Sequence, residues 1–272
     1  MMDKSAIEQI QLSQAINAAQ EAVANQKLAY PLVSLPQNFE TKSLECYLPN
    51  RVRFTGALNT KSVNDFAKFS LDNKEDGTKC FIDKDTASAT VIFNLGNADK
   101  AGHADFKATL ELEKTAEYKA LLAKHDTMLS QKQLAEFMED WSSFITCFDK
   151  EGEVIFINKA IAAVRRLTIE ANAKAEHEVQ DFRSSRSALE NVEAKTDTGL
   201  PAEILFQCSP YNELPEFNFS ARISVITGEI PKLSFRIKRL EKVQDEIMDA
   251  FKELVVNKLD GQIPTYLGVF NC

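Results

Sequence analysis

Glycine is scarce in this chain, at 9 of 272 residues. Folds that hold a phosphate in a glycine-rich loop need clustered glycines, and neither GxGxxG nor GxxxxGK[ST] occurs. Cysteine is nearly as sparse. Cys46, Cys80, Cys147, Cys208 and Cys272 are odd in number, far apart and never in CxxC or CxH spacing. That argues against a disulfide framework and against a zinc site, and it suits a reducing cytoplasm. Cys80 and Cys208 border apolar runs and read as small core residues. No apolar run reaches 18 residues, so no membrane span is expected. The opening MMDKSAIEQIQLSQAINAAQ lacks the apolar centre of a signal peptide. Positive charge is outnumbered, with 32 Lys and Arg against 40 Asp and Glu, net −8. A global electrostatic footprint for nucleic acid is therefore missing, although net charge leaves a local basic face open.

What is present is enough for a core. Hydrophobic residues make up 44%, including 18 phenylalanines, and the 26% charged content is that of a globular protein. The length allows one large domain or two small ones. Residues 4–28 are free of breakers and carry a thin apolar stripe (Ile7, Ile10, Ile16, Ala19, Val23), which predicts an N-terminal helical arm. Two short strands are expected around Pro49-Asn50. Residues 60–72 read as a helix capped by Thr60 or Ser62, with Val63, Phe66 and Ala67 facing inward. Asp76-Gly77 marks a turn. ASATVIFNL and KATLELE both alternate with period two, predicting half-buried strands joined by a long polar loop. A short helix follows over 115–124. Ser130 and Gln133 form an S-x-x-Q capping box ahead of Leu134, Phe137, Met138 and Trp141. Further helices are expected over 156–166 and 243–258. Residues 168–183 read as strands. An antiparallel hairpin is expected over 217–239, with Phe217, Phe219, Ala221, Ile223, Val225, Leu233, Phe235 and Ile237 on one buried face.

Several stretches together carry a family resemblance: GTKCFIDKDTASATVIFNLG, AGHADFKATLELEKTAEYKALL, LSQKQLAEFMEDW, RSALENVEAK and LPAEILFQCSPY. They resemble the YfdQ family of uncharacterised phage and prophage proteins, domain of unknown function 2303, from about residue 60 to the C-terminus. The family pattern carries a proline before its Gly-His segment, where this chain has Ala101. The resemblance implies a cytoplasmic protein expressed in a bacterial host from a phage or prophage, often near early genes of DNA metabolism or recombination. It implies no activity and no catalytic residues.

Three groups of residues invite a chemical reading. His103 and Asp105 would share a face if extended, as a metal-ligand pair or as a base with its orienting carboxylate. The plainer reading is a turn before the next strand. Glu136 and Asp140 are helical neighbours that could share a cation, or simply form the solvated side of their helix. Opposite the hairpin's apolar stripe lie Asn218, Ser220, Arg222 and Ser224, facing Lys232, Ser234, Arg236 and Lys238. Four cations there, with no acid in either strand, could follow a phosphate backbone, helped by Arg183 and Arg186.

The expected fold is α+β, with antiparallel sheets and about five helices. It comprises an arm over 1–30 and a single domain over 31–272, with two lobes meeting near 150 as the alternative. The expected function is a non-enzymatic cytoplasmic accessory protein, a homo-oligomer that binds a host or phage protein. The alternatives are a nucleic-acid-binding factor in recombination or replication, using Arg222, Lys232, Arg236, Lys238, Arg183 and Arg186, and a metal-dependent enzyme using His103 and Asp105. Neither a cofactor nor a membrane contact is expected, and no residue is assigned as catalytic.

Overall fold

The computed structural model describes residues 8–14, 16–17, 49–51, 53–167, 200–226 and 232–271. The chain divides into two units, Met1–Phe54 and Thr55–Cys272. In the first, residues 8–14 and 16–17 are helical, with Ile10 exposed, and Pro49-Asn50 forms a bend. The rest of the expected arm lies outside the described residues. The strand expected just after Pro49-Asn50 starts later than anticipated, at Gly56.

The second unit is α+β. Its strands are β1 (Gly56–Thr60), β2 (Lys79–Asp83), β3 (Ser88–Ile92), β4 (Phe106–Glu111), β5 (Thr127–Leu129), β6 (Ile145–Phe148), β7 (Val154–Ile155), β8 (Glu203–Cys208), β9 (Phe217–Ile226), β10 (Lys232–Ile237) and β11 (Thr265–Leu267). Its helices are α1 (Val63–Asp72), α2 (Ala116–Leu122), α3 (Gln131–Asp140), α4 (Ile157–Arg165) and α5 (Leu240–Lys258). One sheet has the order β1-β4-β3-β2-β11 and the other β5-β10-β9-β8-β6-β7. The second sheet is antiparallel throughout. The first is antiparallel across β2, β3 and β4, with β1 and β11 added in parallel at its edges.

The caps explain where the helices begin. Ser62 Oγ accepts the Asp65 N–H at 3.2 Å, and Thr60 instead ends β1. Thr115 accepts from Tyr118. Ser130 and Gln133 make the reciprocal capping box, satisfying two orphan backbone donors. Helix α5 starts at Leu240, which is buried, three residues before the expected start.

One apolar cluster runs through the unit, with Phe66, Phe93, Phe206, Phe219, Phe235 and Phe251 fully buried. Helix α1 packs on β1, β4 and α5, while α5 also reaches β9. Helix α2 packs on β8, α3 on β5, β10 and α4, and α4 on β6. Apolar residues at alternate strand positions therefore point inward, as the pleat requires. The other positions in both sheets are mostly half-buried or exposed. Each sheet thus turns an outer face away from the helices.

Candidate functional site

The expected hairpin forms. Phe219, Ala221, Ile223, Leu233, Phe235 and Ile237 are buried, and the polar row faces outward. Arg222 and Arg236 are direct cross-strand partners, as are Ser224 and Ser234. Directly opposed like charges disfavour a strand pair unless counter-charge is near. Part of that counter-charge comes from outside the hairpin. Glu203 on β8 pairs across the sheet with Arg222 and forms an ion pair with Lys238. Burial alone would raise the Glu203 carboxyl, but hydrogen bonds from Lys238 and Ser220 outweigh it and hold it below its ordinary value. Asp126 Oδ1 lies 3.9 Å from Arg236 Nε. Among the described residues, Arg222 and Lys232 have no ion-pair partner. The basic face is therefore smaller than the sequence suggested. Arg183, Arg186 and the expected strands over 168–183 lie outside the described residues.

His103 and Asp105 do not lie on a strand. Residues 102–105 form the end of a loop, and Ala104 has a left-handed φ of 54°. The shared strand face that a ligand pair would need is absent. Asn94 does the structural work here. Its Nδ2 donates to Asp105 Oδ1 at 2.8 Å, while its Oδ1 accepts the Phe106 N–H at 3.1 Å. The Gly102 N–H donates to Leu95 O at 2.9 Å, and a Cβ at Gly102 would meet Asn94 O at 1.8 Å. Glycine is required at that close approach. His103 is exposed. Among the described residues no group of three or more His, Cys, Asp and Glu is placed to hold a metal ion.

Cys80, Cys147 and Cys208 are buried free thiols, each pushed up to about 12, chiefly by burial. A thiol so far from its thiolate is a poor nucleophile. Glu136 and Asp140 are exposed, with Glu136 3.6 Å from Lys132.

A second surface was missed by sequence reasoning. The outer face of the five-stranded sheet carries Phe81 on β2 and Tyr266 on β11, which are cross-strand partners with rings 5.8 Å apart. Phe270 stacks on Phe81 at 5.0 Å. Tyr266, Leu267, Val269 and Phe270 are all about half exposed or more, from 45% to 65%. A groove of about 400 Å³ runs between the segment Gly268–Asn271 and a floor that includes Thr90, Ile92, Lys107 and Thr109. The signal lay in KCFID, where Phe81 alternates out of step with Cys80 and Ile82. The three-residue β11 gave no period to read.

No helix among the described residues is long and apolar enough to cross a membrane. A family model described as an uncharacterized conserved protein, DUF2303, matches residues 3–270. No curated protein and no solved structure matches the chain.

Proposed function

The chain belongs to this family of uncharacterized conserved proteins, and from that premise we propose a non-enzymatic binding protein that works as an assembly. The carrying observation is the outer side of the five-stranded sheet, where Phe270 of the closing segment stacks on Phe81 beside Tyr266 and exposed Leu267 and Val269. A contiguous exposed aromatic patch costs solubility, and such patches mark interaction surfaces. The resemblance to YfdQ proteins supports a phage or prophage accessory role in the bacterial cytoplasm as part of this reading.

A second reading rests on the hairpin. The opposed Arg222 and Arg236, with Lys232 and the Ser224–Ser234 pair beside them, form a surface that a phosphate chain would relieve of its own repulsion.

Light scattering after size exclusion, with and without a short single-stranded DNA at low salt, tests both. The assembly reading expects a mass above the 30.5 kDa of one chain, rising with concentration and indifferent to DNA. A shift with DNA that is lost in Arg222→Glu/Arg236→Glu moves the function to the hairpin. A 30.5 kDa species at every concentration, unmoved by DNA, overturns both.

A further inference from the structure

We propose that the outer face of the five-stranded sheet binds the same face of a second copy about a two-fold axis. This rests on the assembly reading above and names its partner.

The strand register sets the outward side chains in three rows. The middle row is Tyr266, Phe81, Thr90 and Thr109. One flanking row is Lys79, Ile92 and Lys107, with Ile92 buried between the two lysines, and the other is Asp83, Ser88 and Glu111. The face is thus basic at one end, aromatic and hydroxyl-bearing in the middle, and acidic at the other end. Four residues of rise separate Lys107 from Glu111, about 13 Å.

A two-fold interface brings a patch against itself, so residue i meets j and j meets i. An axis through the middle row sets the basic end of each copy over the acidic end of the other. Lys107 then meets Glu111 twice, and the aromatic centres meet through Tyr266 and through Phe270, which stacks on Phe81 and is itself about half exposed. The polarity of the patch is what such self-contact requires.

The charges at the two ends are only lightly engaged, Glu111 acting on Lys61 through space without an ion pair. Lys79, Lys107 and Glu111 have no ion pair among the described residues, whereas nearby charges do. Glu113 takes both Lys61 and Lys119, and Lys84 takes Asp249. Asp83 is held ionised by hydrogen bonds from Thr86 and the Asp85 N–H. Other partners fit less well. Asp83 and Glu111 would repel a phosphate backbone or an anionic lipid surface along one whole end.

The face is small. Strands about 4.8 Å apart and rows about 6.8 Å apart give roughly 250–350 Å² in projection. That is well under the ~800 Å² per partner of a standard interface. The contact is therefore weak and dissociates on dilution.

Charge reversal with complementation tests the proposal on the full chain. Lys107→Glu sets carboxylates opposite each other at both contacts, and Glu111→Lys sets ammonium groups opposite each other. Both side chains are exposed, and circular dichroism checks that each variant folds. Sedimentation equilibrium is expected to show each variant weakened about tenfold or more in self-association. Mixing the two variants restores a dimer near wild-type strength, because each contact is then a carboxylate against an ammonium. A wild-type oligomer that neither substitution weakens overturns this interface and leaves the assembly reading standing. Weakened variants that do not rescue each other overturn the two-fold geometry. A wild-type protein monomeric throughout overturns the assembly reading itself.

Discussion

Ser70 is the residue whose placement the fold tolerates least comfortably. It sits on the inner face of α1, fully buried, and its Oγ has no hydrogen-bond partner among the described residues. Burying a hydroxyl without a partner costs about 1–3 kcal/mol. Ser70→Ala is expected to stabilise the protein by about 1 kcal/mol, helped by alanine's better helix propensity. Urea denaturation reads this as a higher midpoint at unchanged slope, and a lower midpoint would show that Ser70 has a partner. Residue-scale chemistry was partly legible beforehand. Cys80 and Cys208 were readable as core because they border apolar runs. Glu203 was not, because an acid on β8 becomes the counter-charge of the hairpin only once β8 pairs with β9. Asn94 was hidden for a similar reason. Its clasp on Asp105 and Phe106 joins the two ends of a loop.

Elements with their own period were legible, and those defined by their neighbours were not. Helix α3 declared itself through its capping box, and β3, β4, β9 and β10 through alternation. Strands β5, β7 and β11 have three, two and three residues, too few to show a period. They exist because a longer strand offers an unpaired edge. The end of β5 shows how such an edge is finished. The β5–β10 register ends at Thr127 and Phe235, and its continuation would pair Asp126 with Arg236 and then His125 with Ile237. Asp126 turns the backbone away with φ 51°. The imidazole takes over: His125 Nδ1 accepts the Ile237 N–H at 3.1 Å, leaving Nε2 3.4 Å from Asp126 Oδ2. Ile237 is buried, so its N–H needs that partner. His125→Leu is expected to cost about 1–3 kcal/mol and to speed hydrogen exchange at the Ile237 amide. Unchanged protection of that amide would mean that another group takes the bond.

At the scale of the whole molecule, both sheets place their apolar side chains against helices and keep a patterned outer face. The α+β class could be read from sequence, since helical and strand periods alternate without a βαβ rhythm. The outer faces could be read only where one hairpin supplies both strands, as in β9 and β10. The rest is assembled from strands distant in the chain, with Tyr266 brought beside Phe81 only by the parallel addition of β11. The central claim is that this aromatic row is a contact surface between molecules. Hydroxyl-radical footprinting of the full chain across a concentration series reads it directly, side chain by side chain. The account predicts that oxidation of Phe81, Tyr266 and Phe270 falls as concentration rises, while exposed Met128 on β5 stays unchanged as the internal reference. Equal oxidation of the three aromatics at every concentration, in samples whose mass shows association, would place the interface elsewhere and contradict the account.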